Sequence, residues 1–205
     1  MKSQHARAYA LTVGIILLGL SFAPVARADR EQATRQYFAG GGAALCSLSP
    51  TFCPDVAKAS NGDKITVSGS GSFTPGDKEV SGGGTFVHRN SAGVVLASGT
   101  WRAEELVSWK SFGLAGAGLP AGFEGGVAVL QVHLTPSAGG ERDDAISSHA
   151  TPSSEGGLQA TLTITCLLGT PVPGAGEEGI TLAVTGGLNF SQSVCGNTLF
   201  IVTED

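Results

Sequence analysis

Residues 158–168 read LQATLTITCLL. Leu158, Ala160, Leu162, Ile164, Cys166 and Leu168 fall on one face of an extended chain, and Gln159, Thr161, Thr163, Thr165 and Leu167 on the other. Side chains of a strand alternate with a period of two. The run therefore predicts a strand with one apolar and one mixed face. Residues 127–135 repeat the pattern, with Ala128, Leu130, Val132 and Leu134 opposed to Val127, Val129, Gln131, His133 and Thr135. Such alternation suits an antiparallel sheet wetted on one side. It suits equally a barrel whose second face lines a lumen.

Further strand-like runs lie at 64–68, 70–74, 83–89, 94–102, 106–112, 180–185 and 198–203. Turn signals separate them: Asn61-Gly62-Asp63, Pro75-Gly76-Asp77, Asn90-Ser91-Ala92-Gly93, Gly139-Gly140 and Gly186-Gly187. Short strands with this punctuation predict an all-β fold. We expect an antiparallel β-barrel of about eight to nine short strands, with a β-sandwich as the alternative. The clearest hairpin joins 85–89 to 94–96 through Asn90–Gly93, a loop length that suits a type I turn followed by a left-handed glycine. Residues 113–126 and 136–157 read as long loops, the second polar, with Asp143-Asp144 and His149. Only 29–38 (DREQATRQYF) has helical composition, and it predicts a short helical arm. A second helical turn is expected at 54–59, with Pro54 at its start.

The chain has 205 residues, 31 of them Gly, and 14% charged residues. Few charges and ample apolar content argue against disorder, and the glycines lack the period of three that collagen needs. Residues 1–28 read as a signal peptide: Lys2 and Arg7 precede an apolar run over 10–23, and Ala26-Arg27-Ala28 is a small-x-small cleavage pattern. That run falls short of the roughly 20 residues of a spanning helix. Residues 29–62 are then an N-terminal arm and 63–205 one β domain, with no transmembrane segment in the mature chain. Cleavage leaves nine basic against 17 acidic residues, a net charge of −8. An acidic chain lacks the basic footprint of a nucleic-acid binder, so no nucleic-acid partner is expected. A secreted, extracellular or periplasmic location follows from the leader.

Cys46, Cys53, Cys166 and Cys195 are an even set in a chain read as exported, which predicts disulfides. Proximity in sequence favours Cys46–Cys53 and Cys166–Cys195 among the three connectivities. No zinc-knuckle spacing, H-x-H or H-E-x-x-H occurs, so neither metal nor cofactor is expected. No P-loop or G-x-S-x-G elbow is present either. Residues 174–179 match G-x-G-x-x-G literally, but prolines precede them, a strand follows, and Glu177 and Glu178 would repel a pyrophosphate.

Trp101, Trp109, Phe86, His88 and His133 remain as candidate ligand-binding residues, since aromatic and imidazole groups in strands would line a lumen or stack on a ligand. Asn189-Phe190-Ser191 is a glycosylation sequon. The leading expectation is a non-catalytic binding or structural module for an extracellular ligand or envelope component. A barrel for a small apolar ligand, whether carrier or isomerase-like enzyme, is the alternative. A polysaccharide hydrolase with an unrecognised acid pair is the third.

Overall fold

The structure, a computed structural model, describes residues 32–40, 54–137 and 157–203. Among the described residues eleven strands form one sheet: β1 (Thr34–Ala39), β2 (Asp55–Lys58), β3 (Lys64–Thr74), β4 (Glu79–Arg89), β5 (Val95–Leu114), β6 (Phe123–Pro136), β7 (Leu158–Cys166), β8 (Gly179–Val184), β9 (Asn189–Phe190), β10 (Gln192–Cys195) and β11 (Leu199–Thr203). Every pairing is antiparallel. The all-β reading is therefore correct.

The helical arm is not. Residues 34–39 form β1, lodged between β3 and β11, and 55–58 form β2. A helix this short is marginal in water, whereas pairing on two edges satisfies the backbone of β1 outright. The segment also alternates, with Arg35, Tyr37 and Ala39 buried. The Gly-rich stretch 113–126 is mostly strand as well. β5 runs to Leu114 and β6 starts at Phe123, so only 115–122 form the connection. The 90–93 turn is built as expected: Asn90 O accepts from Gly93 N at 2.9 Å, and Gly93 has φ +86°. The 136–157 stretch, including Asp143, Asp144 and His149, lies almost wholly outside the described residues.

Two long strands organise the pairing. One edge of β3 faces β4 along its length; the other is shared by β2, opposite residues 64–67, and β1, opposite residues 69–73. β6 is shared likewise, between β5 on one edge and β7 with β11 on the other. Following the pairings from β1 through β3, β4, β5, β6 and β11 returns to β1. At the other end, β9 pairs with β8 and β10 with β2, and only Ser191 separates β9 from β10.

The inward faces meet in one apolar core that includes Tyr37, Ile65, Phe73, Phe86, Trp101, Leu130, Leu162, Ile164, Leu182, Phe190 and Phe200. Its aromatic layer rests on bare backbone. Gly69 pairs with Gly84, and Gly71 with Gly82. A Cβ at Gly69 would stand 2.5 Å from Trp101 Cζ2, and one at Gly71 2.6 Å from Tyr37 Oη. The two large rings thus occupy the volume that side chains on β3 and β4 would fill. Tyr37 Oη donates to Ser81 O at 3.0 Å, and burial holds this phenol well above its usual pKa.

Gly69→Ala and Gly71→Ala are expected to destabilise the fold by about 1–3 kcal/mol each, the usual cost of overpacking. Gly116→Ala, where an added Cβ meets nothing within 4 Å, should stay within about 0.5 kcal/mol. Urea denaturation of the three variants measures the difference.

Candidate functional site

The five candidate binding residues divide between the two faces of the sheet. Trp101, Phe86 and His88 are buried in strands β5 and β4. Trp101 donates from Nε1 to Ser68 O at 3.2 Å and stacks on Tyr37 with centroids 6.5 Å apart. Trp109 is half-buried, between Phe73 (5.0 Å) and Phe200 (4.7 Å). His88 places Nε2 3.2 Å from Asp63 Oδ2 and sets its ring against the edge of Phe190. The other oxygen of Asp63 accepts from Ser91 N at 3.1 Å, so His88 and Asp63 fasten the 59–63 turn to the 90–93 turn. These four side chains pack in or against the one core, with Trp101 and Trp109 joined through Tyr37 and Phe73.

His133 lies on the opposite face. Its neighbours Val132 and Leu134 point into the core, and its register partners are Arg102 on β5 and Gln159 on β7. Around it stand Arg102, Glu104, Gln131 and Gln159. Arg102 Nη2 donates to Glu104 Oε1 at 2.9 Å, and Gln159 Nε2 to Glu104 Oε2 at 3.0 Å. Gln131 Nε2 donates to Gln159 Oε1 at 3.2 Å. His133 Nδ1 is 3.4 Å from Gln159 Nε2 and 3.9 Å from Glu104 Oε1.

A β-bulge makes this arrangement. The register runs Arg102↔His133 and Ala103↔Val132, then skips to Glu105↔Gln131. Glu104 is the extra residue, and both Glu104 and Glu105 are exposed. Adjacent residues of a regular strand would point to opposite faces; a bulge re-aims one of them. The result is a comb of guanidinium, carboxylate, amide and imidazole groups across three strands. Its members hydrogen-bond to one another across β5, β6 and β7. Among the described residues no group of His, Cys, Asp and Glu is arranged to hold a metal ion.

A second polar group is internal. Arg35, on β1, is 3% exposed and meets Glu124 on β6 at 2.9 Å. Glu124 also accepts from Ser111 Oγ at 2.5 Å, and the guanidinium lies over the Trp109 ring at 5.6 Å. Sequence reading missed this pair, because 89 residues separate its members. Glu178, ahead of β8, is likewise spent on backbone: it accepts from Leu167 N at 2.5 Å and Thr198 N at 3.0 Å. An open groove of about 270 Å³ lies where Val172 and Ala175 pass over Ser108, Lys110 and Val127.

The expected Cys166–Cys195 disulfide is absent, and both residues are free thiols. Cys166 faces the core from β7, which pairs with β6 and β8, whereas Cys195 is exposed on β10, which pairs with β2. Nearness in sequence did not bring them side by side. Cys46 and Cys53 lie outside the described residues. Burial pushes the Cys166 thiol up to about 11.

No protein-family model, curated protein or solved structure matches the chain.

Two measurements test these assignments. Glu124→Gln should cost about 3–5 kcal/mol, because it strands a buried charge. Arg102→Ala, at an exposed pair, should cost at most about 1 kcal/mol. In thiol labelling of the native protein, Cys195 should react readily and Cys166 only after denaturation.

Proposed function

We propose that the sheet is a closed barrel with a filled interior, and that the chain is an exported, non-catalytic module that binds with its outer face. The circuit of pairings through β1, β3, β4, β5, β6 and β11 supports closure, and so does the passage of 189–195 from β8 to β2. One observation carries the functional reading: Tyr37, Phe73, Trp101 and Phe200 occupy the interior themselves. A carrier of apolar ligands keeps that volume for its cargo. Recognition then falls to the exterior, where Arg102, Glu104, Gln131 and Gln159, backed by the buried His133, concentrate donors and acceptors.

The chemistry of the comb fits a polyhydroxylated partner, such as an envelope or extracellular polysaccharide. Paired amide and carboxylate groups both donate to and accept from neighbouring hydroxyls. The acidic balance and the leader-like residues 1–28 suit an exported protein.

Co-sedimentation with insoluble peptidoglycan, chitin and cellulose tests this reading. Binding to at least one polymer is expected, with at least a tenfold loss of affinity in the double variant Gln131→Ala/Gln159→Ala and little change in thermal stability. Saturable one-to-one binding of a fluorescent fatty acid, abolished by Trp101→Phe, would instead support the carrier.

A further inference from the structure

Asp55 opens β2 and has no exposed surface. Its Oδ2 accepts from Gly40 N at 2.6 Å, so the carboxyl ties the end of β1 to the start of β2. Its Oδ1 is buried with no hydrogen-bond partner. The cover over that oxygen is Gly196, just past β10: a Cβ there would fall 1.8 Å from Oδ1 and 2.5 Å from the Asp55 Cα. One carboxyl group therefore meets three pieces of chain, and one of its oxygens has no hydrogen-bond partner. An ionised carboxylate is poorly served by such a site, because a buried charge needs hydrogen bonds on both oxygens. A neutral carboxyl is suited to it.

We propose that Asp55 is a proton-operated clasp: protonated, it holds β1, β2 and the end of β10 together, and ionised, it loosens the seam between β2 and β10.

The surroundings act in the same direction. The titratable groups on neighbouring elements are Glu178 ahead of β8, Cys166 on β7, Cys195 on β10, Lys58 and Lys64 at the far ends of β2 and β3, and Arg35 and Tyr37 on β1. Of these, only Glu178 bears on Asp55 electrostatically, and its negative charge opposes ionisation. Glu178 is itself held by Leu167 N, Thr198 N and Thr198 Oγ1. Burial, aided by Glu178 and offset by the Gly40 bond, pushes Asp55 up from 3.8 to about 7. A folded-state pKa above the unfolded one favours the native state fully below the unfolded value. That advantage is lost as pH rises to the folded value. The clasp is therefore closed at pH 4 and opens by pH 8.

The test compares the full chain with Asp55→Asn, which keeps an acceptor for Gly40 N and cannot ionise. Wild-type thermal stability should fall between pH 4 and pH 8, and amide protection factors, corrected for intrinsic exchange, should fall in β2 and β10 more than in β7. In Asp55→Asn both changes should be largely absent. Identical pH profiles for the two proteins would overturn the proposal. A carbon-13 titration of Asp55 in the wild type decides the matter even if the variant fails to fold. A midpoint near 7 supports the clasp, and one near 4 refutes it.

Discussion

The fold depends on how closely β3 and β4 admit Trp101 and Tyr37. The Trp101 ring edge and the Tyr37 hydroxyl approach glycines of these strands so closely that a Cβ at Gly69, Gly71 or Gly82 would clash with them and with neighbouring backbone. Phe73, Phe200 and Trp109 pack around the same aromatic group. Arg35 and Glu124 then sit beside the Trp109 ring rather than in water, and their pairing follows from that placement. The abundant glycine of the composition is thus partly a seat for aromatic side chains as well as a supply of turns.

The face of the sheet turned away from the core carries polar residues of the alternating strands, and the first of three register shifts in β5 gathers several of them. Without the extra residue, Glu104 would face the core or Leu106 would face solvent. With it, Ala103 and Leu106 both remain buried while two carboxylates stand on the surface beside Arg102 and Gln131. A change of one residue in register therefore preserves the core and creates the polar comb.

What could be read from the sequence follows from where the partners lie. The alternation over 158–168 and 127–135 rests on local pattern and one apolar face, and these became β7 and β6. β1 was misread because its burial depends on Glu124 and on two distant strands, none of which a local reading can supply. β5 read as two strands because Glu104-Glu105 interrupts the alternation that the bulge restores. His133 was visible as a polar residue on a strand. Its companions were not, because Arg102, Glu104 and Gln159 come together only through the registers of three strands. The aromatic residues had the opposite fate. Trp101 and Trp109 stood out by residue type, but the glycines they rest against, Gly69 and Gly126, lie on other strands.

β1 lies between β3 and β11, where Thr34 is opposite Thr203. An early strand is thus held by the last one. Until residues 199–203 arrive, β1 has one edge without a neighbour, and the edge of β6 at Phe123 and Glu124 is bare. Hairpins such as β3–β4 and β5–β6 form from nearby chain, but joining the first strand to the last spans the whole domain. Contacts of such separation are slow to form. The β1–β11 and β6–β11 pairings therefore tie the local hairpins together, β1–β11 through the contacts of greatest sequence separation.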